Sequence, residues 1–180
     1  MPRTPLLTEV PPEAGLWLEI DTVAQRLSVW RGPEVEWQCE VSTAANGTGE
    51  EEGSGATPLG WHYVRAAIGA GNPPGTVYRG RRPTGEVYTE ALAAEHPGRD
   101  WILTRILWLS GLEPGRNRGG NVDSQRRYIY LHGTQPSEPM GVARSHGCIR
   151  LRDDDLLALF EIAVPGTPVW LHDEPLDASS

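Results

Sequence analysis

Lysine is missing from this 180-residue chain: all 16 basic residues are arginine, set against 24 acidic ones for a formal net charge of −8. Proteins whose main partner is nucleic acid usually carry a basic stripe that replaces phosphate counterions, so the acidic balance argues against that class. The doublets Arg81-Arg82 and Arg126-Arg127 are local exceptions and read as solvated loop charge. No run approaches the ~18 to 20 consecutive apolar residues of a membrane span, and the mean hydropathy of −0.41 agrees. The opening MPRTPLLTEVPPEAGLWLEI lacks the unbroken apolar stretch of a secretory signal, which makes a cytoplasmic location the expectation. Two cysteines, Cys39 and Cys148, are too few for a disulfide framework or a Cys-rich zinc module.

Glycine (21) and proline (16) are abundant and punctuate short apolar runs, the pattern of a β-rich fold. Residues 16–20 and 26–30 alternate apolar and polar around a turn opened by Asp21-Thr22, which predicts a hairpin. Further strands are predicted over 35–41, 61–67, 101–109, 128–132 and 167–172, with loops at 46–55 and 69–90. Asp153-Asp154-Asp155 before LLALFEIAV predicts an acid-capped helix over 154–163. No repeat, linker or second apolar core divides the chain, so one domain is expected. Cys39 reads as a small core residue, His62, His96 and His172 as ordinary surface or partly buried residues, and most tryptophans as core, with Trp108 or Trp61 able to line a groove.

The informative segment is YLHGTQPSEPMGVARSHGCIRL, residues 130–151. It places His132 at the end of an apolar strand and, 16 residues later, a cysteine inside Ser145-His146-Gly147-Cys148-Ile149-Arg150. A free thiol of pKa ~8.5 is mostly protonated at neutral pH, so a nucleophilic cysteine needs a neighbouring base or cation. His132, His146, Arg144 and Arg150 are close enough in sequence to supply one. Gly147 would let backbone N–H groups face a developing oxyanion with no side chain in the way. On the residues alone an inert buried thiol remains an alternative. So does a zinc site on His132, His146 and Cys148, although the two motif residues alternate across an extended strand and no acidic residue is suitably spaced.

The segment from His132-Gly133-Thr134 to Arg150 resembles the signature of the YkuD-type L,D-transpeptidases, cysteine acyltransferases of peptidoglycan metabolism. Thr57-Pro58-Leu59-Gly60, the Leu103–Leu107 strand with Gly111, and Gly166-Thr167-Pro168-Val169 match in the same order, so the resemblance runs from about Leu16 to Leu171. It implies a mainly β fold, a sandwich of mixed sheets with one or two helices and long loops. One catalytic domain would span 16–172 between tails 1–15 and 173–180, with the 69–90 segment as a partial lid over Cys148. The resemblance further implies that Cys148 attacks the carbonyl between the L-centre of the third stem residue, usually meso-diaminopimelate, and the D-Ala at position four. His132 would be the base, oriented by the carbonyl of Gly133, and the amides of His146, Gly147 and Cys148 would form the oxyanion pocket. Arg150 would hold the site or a substrate carboxylate, with Arg144 as a second guanidinium suited to carboxylates. The His146 ring and the Ser145 hydroxyl read as holding groups. No cofactor or metal is implied; the partners are peptidoglycan stem peptides or muropeptides, and acylation by carbapenems is a further expectation. An amine resolving the thioester would give 3-3 cross-links or D-amino-acid exchange. Water would give an L,D-carboxypeptidase, the preferred expectation because this chain reads as lacking an export signal and a wall-binding module. An inactive peptidoglycan-binding descendant is the reading from another class.

Overall fold

The computed structural model describes residues 4–174. The expected hairpin is present as β1 (Leu16–Asp21) and β2 (Arg26–Arg31), antiparallel with Leu18 opposite Val29. Its turn closes on Asp21, whose Oδ1 accepts from the amides of Val23 and Ala24, each at 2.9 Å. β3 (Glu34–Glu40) follows at the sheet edge, where Glu34, Glu36 and Glu40 discourage pairing with another chain.

The remaining elements are β4 (Gly60–Ile68), β5 (Thr76–Arg79), β6 (Arg82–Val87), α1 (Glu90–Glu95), β7 (Leu103–Gly111), β8 (Tyr130–Gly133), β9 (Ile149–Leu151), α2 (Asp153–Ile162) and β10 (Pro168–His172). The strands run β3-β2-β1-β10-β4-β7-β5-β6, with β8 beside β7 and β9 beside β8. The sheet is mixed: β1 with β10 and β8 with β9 are parallel, and the other pairs are antiparallel. The mainly β fold with two helices agrees with expectation.

Two local expectations are corrected. The 69–90 segment is not one long loop: it folds into the β5–β6 hairpin and then enters α1, whose first turn is capped by Thr89 Oγ1 accepting from the Leu92 amide at 3.0 Å. At the hairpin tip Gly80 and Arg81 both have positive φ, 56° and 66°, the geometry of a two-residue turn that matches strand twist. α2 is capped by the backbone of Arg152 without a side-chain bond, and all three aspartates fall in its first turn, where they complement the helix dipole.

Alternation along the strands sorts the core. Leu18, Ile20, Leu27, Val29, Val169 and Leu171 meet Leu107, Leu109, Leu131, Ile149 and Leu151 beneath α2, whose Leu156 and Leu159 are fully buried. Each such side chain contributes about 1.5–3 kcal/mol. Four tryptophans lie on the opposite face, where Trp17 stacks on Trp30 at 5.2 Å and Trp61 on Trp170 at 5.9 Å between ring centroids, whereas Trp37 packs against the core. His172 on this face is buried, contrary to the expectation of an ordinary residue, and its Nε2 is 2.7 Å from Glu19 Oε2.

Candidate active site

The same alternation that sends Leu131, Ile149 and Leu151 into the core turns Tyr130, His132, Cys148 and Arg150 to the other face of β8 and β9. The parallel register sets His132 opposite Arg150, with Cys148 one position before β9. His132 is buried, and its Nδ1 lies 2.7 Å from the Gly133 carbonyl. A carbonyl only accepts, so Nδ1 carries the hydrogen and Nε2 keeps the lone pair a base needs. Gly133 must be glycine: a Cβ there would collide with Asp153 Oδ1 and stand 2.7 Å from the Leu103 carbonyl oxygen.

Opposite this pair β7 bulges between Leu103 and Ile106. Thr104 in the bulge has φ +76°, a costly conformation for a β-branched residue. The bulge is held by its neighbours: Thr104 Oγ1 accepts from the Gly75 amide at 3.0 Å, and its carbonyl accepts from Arg105 Nη1 at 2.7 Å and from the Tyr78 hydroxyl at 3.2 Å. Bulges of this kind re-aim a strand beside a functional site.

Cys148 is half-buried; its thiol donates to the Tyr128 carbonyl at 3.3 Å and its sulfur accepts from the Tyr130 amide at 3.4 Å. Tyr128 itself turns at φ +57°, which ends the predicted 128–132 strand early and starts β8 at Tyr130. Gly147, at φ +132°, sits in a conformation that favours glycine. Its carbonyl accepts from Thr57 Oγ1 at 2.9 Å, and Thr57 Oγ1 in turn accepts from the Ala44 amide at 3.0 Å, so the Thr57-Pro58-Leu59-Gly60 motif fastens the Cys148 segment to the 42–48 stretch. Ser145 is buried, and its hydroxyl donates to the Cys148 carbonyl and accepts from the Gly147 amide at 3.3 Å, closing the turn.

Burial pushes the Cys148 thiol up to about 12, helped by the charge of Asp100 and opposed by the Tyr130 amide, Arg150 and Arg127. Burial also lowers His132, with Arg150 adding to the effect, while the bond to Gly133 and the charge of Asp100 oppose it. The resting pair is therefore a neutral thiol and a neutral imidazole.

Arg150 is sequestered: its side chain is 6% exposed, Nη2 donates to Asp100 Oδ1 at 2.9 Å and Nη1 to the Arg144 carbonyl at 3.2 Å, with Glu138 Oε2 at 3.6 Å. Of the two readings of this residue, the geometry is that of a group holding the site. Arg144 is exposed, and among the described residues its guanidinium has no hydrogen bond or ion pair. The His146 ring is 75% exposed, with Nδ1 3.3 Å from Asp100 Oδ2. Asp100, which no sequence pattern marked, thus touches residues on both sides of the nucleophile. With Arg99, Trp101, Glu138, His146 and Arg150 it lines a cavity of about 280 Å³.

His96 is exposed, while His62 is fully buried, contrary to expectation. His62 Nδ1 donates to the Gly60 carbonyl at 3.0 Å and Nε2 accepts from Ser124 Oγ at 2.7 Å. Among the described residues no cluster of three or more His, Cys, Asp or Glu could hold a metal ion.

A family model described as the L,D-transpeptidase catalytic domain matches residues 15–171. The chain is similar to the probable L,D-transpeptidase YbiS of Escherichia coli K12, 43% identical over 54 residues, which are 30% of this chain and 18% of that protein. It therefore aligns with about a fifth of that relative's length. Among solved structures, an L,D-transpeptidase from Xylanimonas cellulosilytica aligns with a TM-score of 0.55 at 21% identity over 96% of this chain and 65% of that one. LdtMt1 in complex with imipenem aligns with a TM-score of 0.51 at 18% identity over 87% of this chain and 58% of that one.

Proposed function

We propose that this chain, which belongs to the L,D-transpeptidase catalytic-domain family, acylates itself on Cys148 with a murein tetrapeptide and hydrolyses the product, releasing the terminal D-Ala. The observation that carries the acylation step is the shared face of Cys148 and His132, with Nδ1 of the imidazole committed to the Gly133 carbonyl and Nε2 left as the base. As the thiol turns from the Tyr128 carbonyl, His132 Nε2 takes its proton and sulfur bonds to the carbonyl carbon after the third stem residue. The oxyanion is received by the amides of His146, Gly147 and Cys148, the Gly147 amide exchanging its long bond to Ser145 Oγ. Collapse breaks the C–N bond, and the D-Ala amine leaves with the proton from His132. Water, deprotonated by the same imidazole, then cleaves the thioester and restores the thiol.

Arg144 supports a substrate with a free C-terminal carboxylate, because its guanidinium is exposed four residues before the nucleophile. This reading takes water as the resolving nucleophile, which reaches the thioester past the exposed His146 and Tyr128. A soluble muropeptide, met in the cytoplasm during recycling, is the substrate this reading favours.

The test is mass spectrometry of the protein incubated with soluble disaccharide-tetrapeptide, with and without an added D-amino acid, beside Cys148→Ala. Loss of one D-Ala to give tripeptide, abolished in the variant, is the expected result. Dimer or exchange product forming faster than tripeptide would replace hydrolysis by transpeptidation. No product in either form would leave only a binding role. Mass addition by imipenem, absent in Cys148→Ala, checks the nucleophile independently.

A further inference from the structure

A buried cation stands beside the imidazole that has to become cationic. Arg150 lies opposite His132 across the β8–β9 pair, almost wholly out of solvent, and its Nε is buried without a partner among the described residues. Proton transfer from Cys148 would then set two positive charges against each other on two buried side chains. The carboxylate in closest contact with Arg150 belongs to Asp100, in the connection between α1 and β7. It accepts from Arg150 Nη2 at 2.9 Å and faces His146 Nδ1 at 3.3 Å, so it bridges the residues two before and two after the nucleophile.

We propose that Asp100 is the positioning residue of the acid-base step: it neutralises Arg150 across the strand pair and supplies the counter-charge to the His132 imidazolium formed when Cys148 attacks. The inference rests on His132 being the base, as argued above.

The other groups around His132 do not fill this role. On its own strand the Gly133 carbonyl orients Nδ1 but carries no full charge. From β9 comes Arg150, of the wrong sign, and from the residue before it Cys148, the proton donor. From α2, Asp153 abuts Gly133, but burial raises its carboxyl, aided by Asp154 and opposed by Thr104, so it holds its proton more readily. Glu138 stands farther from Arg150, at 3.6 Å, and its other oxygen accepts from Gln135 Nε2 at 3.3 Å. Asp100 stays ionised: burial alone would raise it, but His132, Arg150 and the bonds from Arg150 and His146 hold it below the usual carboxylate range. His146, mostly in solvent and at 3.3 Å, braces the carboxylate only weakly.

The experiment compares wild type, Asp100→Asn and Asp100→Glu, with the smaller Asp100→Ser as a second neutral variant should the amide not fold. The His132 ring is titrated by NMR without substrate, kcat and KM for tripeptide release are measured against pH, and thermal melting checks the fold. The neutral variants are expected to lower the His132 midpoint by roughly one pH unit, move the acid limb of the rate profile the same way, and reduce kcat about tenfold or more with little change in KM. Asp100→Glu is expected to recover part of each. A His132 midpoint that stays put in a folded neutral variant would overturn the proposal, even if kcat falls, because loss of rate alone would mark a merely structural residue. The titration needs no substrate, so it reads the same way if the protein turns out not to act on tetrapeptide.

Discussion

Thr57 shows how much of the site hangs on one hydroxyl. It donates to the Gly147 carbonyl and accepts from the Ala44 amide, both buried, so Thr57→Val strands two backbone groups at once. The expected cost is about 2 kcal/mol or more of stability, with acylation about tenfold slower, whereas Thr57→Ser retains both; urea unfolding and initial rates of imipenem adduct formation check it. Cys148 should alkylate slowly: with its thiol held near 12, iodoacetamide at pH 7 is expected to react no faster than with free cysteine, and a rate well above that would mean a preformed thiolate. At this scale the motif made Cys148, His132, Gly133 and Gly147 legible, because their chemistry is contiguous in the chain. Asp100 was not legible, since it lies 50 residues from Arg150 in a polar turn without periodicity. The thiol's other partners, the Tyr128 carbonyl and the Tyr130 amide, are backbone groups that no side-chain pattern can announce.

Among the elements, the β5–β6 hairpin departs furthest from the sequence reading. Its turn, Gly80-Arg81, has Arg where Gly usually takes the second left-handed position, so the segment looked like continuous loop. Arg81 at that tip covers Trp108 at 4.6 Å and Tyr128 at 4.8 Å from the ring centroids and donates to the Tyr130 hydroxyl at 3.1 Å. The hairpin is thereby pinned to the two tyrosines whose backbones hold the thiol. Arg81→Ala is expected to free the tip at a cost of about 1–2 kcal/mol in local stability and to raise KM for tetrapeptide several-fold. Hydrogen exchange of the β5–β6 amides, together with steady-state kinetics, tests both. The strands of the opening hairpin and α2 were easier to place, since alternation and the Asp153-Asp154-Asp155 run are local signals; each end differs by at most one residue, and α2 starts one residue early because the backbone of Arg152 caps it.

For the whole molecule, buried histidines set the pH response. His62 is lowered to about 4 by burial, outweighing its bond to Gly60, so the unfolded chain binds the extra proton between pH 6.5 and 4 and stability is lost as pH falls through that window, by roughly 3 kcal/mol. His132, also lowered, acts in the same direction. Glu19 is lowered by its bond to His172 against the opposing effect of burial, so its contribution is present above the unfolded value and fades as pH drops through the folded one. For His172 burial would lower the ring, but Glu19 and Asp21 prevail and raise it; its contribution is complete below about 6.5 and lost as pH rises through the folded value. Urea midpoints measured from pH 4 to 9 should therefore peak near neutrality and fall steeply on the acid side. His62→Gln should flatten the slope between pH 6.5 and 4, and an unchanged slope would assign the acid loss elsewhere. The mainly β class was readable from alternation and Gly/Pro punctuation. The strand order was not, because β10 enters between β1 and β4 and nothing local records which distant strands become neighbours.

That insertion has a consequence for how the protein comes into being. A nascent chain synthesised as far as Pro165 already contains the complete His132–Arg150 segment, yet β1 and β4 have no partner between them. The sheet can zip shut only when β10 leaves the ribosome and threads into the gap, a long-range step of the kind that makes β topologies slow to fold. Catalytic competence should arrive all at once, when β10 takes its place between β1 and β4, so that chains stalled or cleaved before β10 are inert and not partly active.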